Sequence, residues 1–243
     1  MLKGFVFSYT TSMIYFAHRG ASALYVQNTL PSFSLAQKAG ATHYELDVHL
    51  TRDGQVIVHH DYFLSDTMGQ ERSIADISYQ TLRQIPLKNI FDDGIVKVPL
   101  LKDVLPVLEK NLETLNVEFK NDDNRYPDMV QKVWALLKEQ YPVIFPKTLF
   151  SSFCFNTLAE LRKLDKNARI GLLTREFDIR KALELSAESV HINHKRFSSE
   201  MAKICHQYGI KIYVYTVNDT ALAKELEKSG ADGIFTDRIH EFV

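Results

Sequence analysis

Ala41-Thr42-His43-Tyr44-Glu45-Leu46-Asp47-Val48-His49-Leu50-Thr51-Arg52-Asp53-Gly54-Gln55-Val56-Ile57-Val58-His59-His60-Asp61 reads as a strand followed by a hairpin. From Thr42 to Leu50 the residues alternate without exception. Thr42, Tyr44, Leu46, Val48 and Leu50 fall on one side, His43, Glu45, Asp47 and His49 on the other. A period of two is the signature of a β-strand. A half-buried strand ordinarily shows small polar groups on its wet face, whereas every group on this one titrates. Glu45 and Asp47, at i and i+2, project from the same side about 7 Å apart along the strand, close enough to share one hard cation. Asp53-Gly54 supplies a tight turn, and Gln55–Val58 leads into a second polar cluster, His59-His60-Asp61. The plain alternative is a solvent-facing strand and hairpin without chemistry.

The same alternation of elements extends in both directions. Upstream, Met13–Ala17 is a short aromatic and apolar run ending at His18-Arg19-Gly20, a strand with functional groups at its C-terminal end. Asn28 to Lys38 reads as a helix, capped by Asn28 or Thr29, with Pro31 in its first turn and Gly40 stopping it. Downstream, residues 62–98 lose the rhythm: Asp66, Gly69, Asp76, Pro86, Asp92-Asp93-Gly94 and Pro99 punctuate them, with one short helix at Ser78–Gln84. That segment is expected to be an inserted lobe. From Leu101 strands and helices alternate again. Strands are expected at Thr114–Phe119, Thr148–Phe153, Arg169–Leu173, Ser189–Ile192, Lys211–Thr216 and Gly233–Thr236, with helices between them. Eight strands in 243 residues point to an α/β fold, the eight-stranded (β/α)8 TIM barrel, in a single domain over residues 1–243. The competitor, an open doubly wound sheet, lacks its Gly-rich turn: only Gly20 follows the first strand.

Composition narrows the function classes. With 29 basic and 30 acidic residues the net charge is −1, and no basic run is interleaved with aromatics, which argues against nucleic acid as a partner. No apolar stretch approaches the roughly 18 residues of a membrane helix, so no stable membrane insertion is expected. Cys154 and Cys205 are expected to be free thiols in a cytoplasmic protein. The start Lys3-Gly4-Phe5-Val6-Phe7 faintly resembles a secretory signal, but cleavage near Ala21-Ser22-Ala23 would remove His18-Arg19-Gly20, so it is expected to lead into the first strand.

In such barrels the active site lies at the C-terminal ends of the strands. The third barrel strand tests the idea: Leu115, Val117 and Phe119 face the helices, which turns Asn116, Glu118 and Lys120 inward. Neighbouring strands lie about 4.8 Å apart, so Glu45, Asp47 and Glu118 can share one divalent cation, Mg²⁺ or Ca²⁺; three acids without cysteine favour a hard ion. The competing role of Glu118 is a salt bridge with Lys120. Arg19 offers a planar fork for phosphate oxygens and Lys120 a second positive charge. His18 and His60 can supply the base and the acid for breaking a P–O bond. His59 and His43 are expected to be structural, His191 and His194 scaffold or rim, and His49 is left open. Tyr215 ends the seventh strand as a substrate wall or as core.

Taken together, His18-Arg19-Gly20, Asn28-Thr29-Leu30, Gly40-Ala41, Glu45-Leu46-Asp47-Val48, Leu50-Thr51-Arg52-Asp53-Gly54 and His60-Asp61 resemble the glycerophosphodiester phosphodiesterase family. Further matches are Asn116-Val117-Glu118-Phe119-Lys120, Ser151-Ser152-Phe153, Thr216-Val217-Asn218, Gly230-Ala231-Asp232-Gly233 and Thr236-Asp237, in the family's order across nearly the whole chain. The resemblance implies a metal-dependent barrel enzyme that converts a small-molecule glycerophosphodiester to sn-glycerol 3-phosphate and an alcohol. It implies Glu45, Asp47 and Glu118 as cation ligands and His18 and His60 as acid and base. It also implies a route in which the glycerol 2-hydroxyl attacks phosphorus and water opens the resulting cyclic phosphate. Three departures from the family's pattern stand out: Val26-Gln27 replaces Pro-Glu, Tyr215 replaces Trp, and Ile239 replaces Pro. Other readings are a lysophospholipase D, with Phe63 of the insertion on the acyl chain, and a non-catalytic phosphodiester- or metal-binding barrel. Oligomeric state is left open.

Overall fold

The structure, a computed structural model, describes residues 13–65 and 71–243. The expected lead-in before Met13 lies outside the described residues. The chain opens with β1 (Ile14–His18), α1 (Leu30–Ala39) and β2 (His43–Leu50). β3 (Val56–Val58) is the second arm of the hairpin, and the segment that loses the rhythm holds β4 (Phe63–Ser65), β5 (Glu71–Ser73) and the short α2 (Tyr79–Leu82). From α3 (Leu101–Leu108) the alternation is strict: β6 (Thr114–Phe119), α4 (Met129–Gln140), β7 (Thr148–Ser152), α5 (Phe155–Leu164), β8 (Arg169–Thr174), α6 (Ile179–Glu184), β9 (Ser189–Asn193), α7 (Ser199–Gln207), β10 (Lys211–Tyr215), α8 (Thr220–Lys228) and β11 (Gly233–Thr236).

The strands close on themselves. β2 pairs with β1 and β6, the order runs on through β7, β8, β9, β10 and β11, and β11 returns to β1, every one of these pairings parallel. This is the expected (β/α)8 barrel. β3 folds back antiparallel on the C-terminal half of β2, and β4 and β5 pair only with each other. Ile57, Leu64, Ile74, Ile77 and Leu82 form an apolar cluster separate from the main core.

Two apolar layers follow from strand alternation. Tyr44, Leu46 and Val48 of β2 and Leu115, Val117 and Phe119 of β6 face the helices. On α3, Leu101, Val104, Leu105 and Leu108 recur at helical spacing and are all buried. Each such side chain contributes about 1.5–3 kcal/mol on burial, and truncating Leu105 to Ala would cost about 2–5 kcal/mol. The inner layer is a stack of rings. Phe16 lies 4.8 Å from Phe235 and 5.2 Å from Tyr213, with His43 edge-on at 5.5 Å. His43, expected to be structural, belongs to this plug, and its Nε2 lies 3.3 Å from Glu113.

Two boundaries differ from expectation in an informative way. The first strand runs to His18, which pairs in register with Glu45. The first helix starts at Leu30, not Asn28. Thr29 is its N-cap, accepting from the Ser32 amide, while Asn28 has φ 58° and stands outside the helix. The side chain thus released is used at the barrel mouth.

Candidate active site

The loop after β1 turns sharply because two consecutive residues adopt left-handed backbone, Arg19 at φ 59° and Gly20 at φ 86°. A Cβ on Gly20 would meet Ser32 Oγ at 2.5 Å and the Ser32 carbonyl carbon at 2.7 Å, so only glycine fits. For Arg19, left-handed backbone costs on the order of 1–2 kcal/mol, offset by what the turn positions. Its N–H donates to Glu45 Oε2 at 3.0 Å, and its Nε lies 3.1 Å from Asp47 Oδ2. Its Nη1 donates to Gln27 Oε1 at 2.7 Å. Asn28 donates from Nδ2 to Asp47 Oδ2 at 2.8 Å.

Register does the rest. Glu45 is paired with Asn116 and Asp47 with Glu118. Glu45, Asp47 and Glu118, all buried, each bring a carboxylate oxygen to within 4.8 Å of the others. Lys120 Nζ donates to Glu118 Oε1 at 2.9 Å and lies 3.8 Å from Asp47 Oδ1. The salt bridge weighed against a ligand role for Glu118 is therefore present, and it sits inside the cluster. Burial and then the Asp47 charge push the Glu45 carboxyl well above the usual range. Burial and Asp47 also raise Glu118, against the pull of Lys120. Burial alone would raise Asp47 too, but Arg19 and Lys120 overcome it and hold Asp47 down to about 2. Glu45 Oε1 and Asp47 Oδ1 are buried with no hydrogen-bond partner among the described residues. Buried carboxylate oxygens left unpaired are costly, and these are the donor set a hard divalent cation takes. The residues fit such an ion.

The two expected catalytic imidazoles are held alike. His18 Nδ1 lies 2.7 Å from Asp237 Oδ1, and His60 Nδ1 lies 2.7 Å from Asp61 Oδ1. A carboxylate on Nδ1 selects the tautomer protonated there and leaves Nε2 for proton transfer. Asp237 is itself fixed, accepting from Ser22 Oγ at 2.9 Å and from Asn218 Nδ2 at 2.7 Å. Burial lowers the His18 pKa, and its hydrogen bond to Asp237 opposes that shift. His18 Nε2 is 4.0 Å from Glu45 Oε2.

A cavity of about 200 Å³ joins these groups. His18, Arg19, Glu45, His60, Glu118 and Lys120 line it on the polar side, and Phe153, Leu173, Tyr215 and Phe235 on the apolar side. Tyr215 is thus a cavity wall. His49 is buried, with Nδ1 3.0 Å from Tyr126 Oη and Nε2 3.2 Å from the His60 carbonyl, a support beneath the His60 loop. His59 and His194 are not cavity-lining; His191, expected as scaffold or rim, is. Asp237, Asn28 and Phe153 received no role in the site from the sequence, Asn28 being expected only as a helix cap. Asp237 carried a usable signal, since it follows the last strand as His18 ends the first.

The model of the glycerophosphoryl diester phosphodiesterase family matches residues 18–241, from His18 through the C-terminal turn beyond Asp237. The chain belongs to that family. It is accordingly a glycerophosphodiester phosphodiesterase, a phosphoric diester hydrolase. A glycerophosphodiester phosphodiesterase of Bacillus altitudinis is 34% identical over 232 residues, covering 91% of this chain and 93% of the relative. Another family member, from Caldanaerobacter subterraneus subsp. tengcongensis, is 28% identical over 226 residues, covering 91% of this chain and 92% of its own. Among solved structures, an Oleispira antarctica phosphodiesterase in complex with the product sn-glycerol-3-phosphate superposes with TM-score 0.86 at 25% identity, covering 94% of each chain. The Thermotoga maritima glycerophosphodiester phosphodiesterase superposes with TM-score 0.75 at 28% identity, covering 96% of this chain and 97% of that one. Among the described residues no helix is long and apolar enough to cross a membrane.

Proposed function

We propose that this enzyme hydrolyses glycerophosphodiesters to sn-glycerol 3-phosphate and an alcohol, with His18 and His60 exchanging protons and one Mg²⁺ or Ca²⁺ held by Glu45, Asp47 and Glu118. The observation that carries the reading is one cavity flanked by two imidazoles, each with a carboxylate on Nδ1, around a buried acidic triad. The product bound in the Oleispira antarctica structure supports the substrate class. A cation bound there supplies positive charge to the phosphoryl oxygens and lowers the pKa of a hydroxyl beside it. The chain's own residues do the remainder. One imidazole takes the proton of the glycerol 2-hydroxyl through Nε2 as that oxygen attacks phosphorus, and the other protonates the departing alkoxide. The roles reverse when water opens the cyclic phosphate. Each transfer is worth about 10²–10⁴-fold in rate. Arg19 and Lys120 neutralise the phosphoryl oxygens, and Tyr215 walls the substrate.

The chain is proposed to act as one domain, residues 1–243, with an insertion at about 62–98. Cys154 and Cys205 are both free, which supports a reducing, cytoplasmic setting. Phe63 is half exposed and does not line the cavity, which favours small diesters over acylated ones. The test is release of glycerol 3-phosphate from glycerophosphodiesters of varied head group with Mg²⁺, Ca²⁺ or Mn²⁺. Turnover is expected to vanish with EDTA and to fall about 10²–10⁴-fold in His18→Ala and His60→Ala. Unchanged turnover in His18→Ala would remove the acid–base assignment.

A further inference from the structure

In the same cavity, two polar atoms of the wall have no part in the scheme above. Asn116 is 1% exposed and His191 0%. Both line the cavity, yet Asn116 Oδ1 and His191 Nδ1 have no hydrogen-bond partner among the described residues. Their other polar atoms are committed. Asn116 Nδ2 donates to Ser151 Oγ at 3.0 Å, and Ser189 Oγ lies 2.8 Å from His191 Nε2. The fold makes room for the imidazole at some expense: a Cβ on Gly171 would lie 2.5 Å from two of its ring atoms. Phe235 and Tyr213 pack at 5.1 Å and 5.3 Å from the ring. Burial keeps the ring neutral, and the contact with Ser189 Oγ admits the tautomer in which Ser189 donates to Nε2 and the ring proton sits on Nδ1. In that tautomer the cavity offers one donor, His191 Nδ1–H, and one acceptor, Asn116 Oδ1, within a wall that is apolar at Leu173 and Phe235.

A hydroxyl both donates and accepts, so a single oxygen placed within reach of both atoms would satisfy them together. We infer that Asn116 and His191 form the subsite for the free primary hydroxyl of glycerol, the one that neither attacks phosphorus nor bears it. The subsite rests on the glycerophosphodiester reading and sharpens it. It selects diesters whose glycerol is unesterified, because an acylated oxygen has no proton to donate and would leave the buried Asn116 Oδ1 unpaired. A site built to bond a substrate hydroxyl rejects the analogue lacking it, since the buried groups are left without partners.

The experiment compares two diesters, glycerophosphocholine and its analogue made from propane-1,2-diol, which keeps the attacking hydroxyl and lacks the primary one. In the wild-type enzyme kcat/KM is expected to favour the glycerol substrate by at least about tenfold. His191→Phe and Asn116→Ala are each expected to bring that ratio to within about threefold of unity by slowing the glycerol substrate selectively. A residue that merely packs the barrel slows both substrates alike and leaves the ratio where it was. A wild-type ratio near one overturns the subsite without any variant being needed. So does a large ratio that both variants preserve. If neither variant folds, inhibition by glycerol 3-phosphate against propane-1,2-diol 1-phosphate in the wild type decides: equal inhibition also overturns it. The pair is made with a head group the enzyme turns over, in place of choline where needed, and turnover of no glycerophosphodiester of any head group marks failure of the glycerophosphodiester reading itself.

Discussion

Replacing Asp237 with Asn tests whether a carboxylate behind His18 organises the proton transfer. Asp237 Oδ1 accepts from His18 Nδ1 at 2.7 Å and from Ser22 Oγ at 2.9 Å, while Oδ2 accepts from Asn218 Nδ2 at 2.7 Å. An amide cannot serve both sides. If its oxygen stays on His18, its NH₂ faces the Asn218 NH₂; if it turns over, an NH₂ faces His18 Nδ1 and drives the ring proton to Nε2. Either outcome also deletes the negative charge that would stabilise the imidazolium formed in the proposed proton transfer. A hydrogen bond to a charged group contributes about 1.5–3 kcal/mol. The Asp237 side chain is 31% exposed, so solvent screening places the effect in the lower half of that range. About 1.5–2 kcal/mol corresponds to about a 10–30-fold loss, at 1.36 kcal/mol per tenfold. Asp237 does not line the cavity, so the loss is expected in kcat, with KM within about twofold of wild type. Steady-state release of glycerol 3-phosphate with the cation in excess measures both constants, and thermal melting monitors the fold. An Asp237→Asn enzyme that melts normally and keeps kcat within twofold of wild type would refute the positioning role. So would a change confined to KM.

Other outcomes follow from the same geometry. A divalent cation at 100 times its Kd is expected to stabilise the wild type by about 2.7 kcal/mol, a rise of about 5–10 °C in Tm at this chain length. Scanning fluorimetry should show that rise abolished in Asp47→Asn; an equal shift in the variant removes Asp47 from the ligand set. Burial pushes the Cys205 thiol up to about 12, whereas Cys154 is partly accessible. A disulfide reagent should therefore titrate one thiol in the native protein and two in denaturant; two fast thiols would contradict the packing of α7. Glu188 is held below the usual carboxylate range, chiefly by its hydrogen bonds with Arg169 at 2.7 and 2.9 Å. A depressed folded-state pKa stabilises the protein above the unfolded-state value, and that contribution is lost as pH falls through the folded value. The stability gap between wild type and Glu188→Gln, read by urea unfolding, is thus expected to be full at pH 7 and to shrink in acid. A gap that grows in acid would reverse the assignment.

Much of this enzyme is written in local patterns. Strict alternation from Thr42 to Leu50 places Glu45 and Asp47 inside the barrel, because side-chain direction in a strand depends only on parity. The same rule turns Asn116, Glu118 and Lys120 inward and sends Leu115, Val117 and Phe119 to the helices. The regular alternation of strands and helices after Leu101 dictates a parallel barrel, and the position of His18 at a strand end places it at the mouth. What only the tertiary structure decided involves partners far apart in sequence. Nothing local joins His18 to Asp237 across 219 positions, or Asn28 to Asp47; closure of β1 against β11 and the left-handed turn at Arg19 and Asn28 bring them together. The unpaired atoms of Asn116 and His191 are likewise invisible until β6 and β9 enclose one cavity. Parity tells which way a side chain points, but the shear of the closed barrel determines what it meets, and that is a property of all eight strands at once.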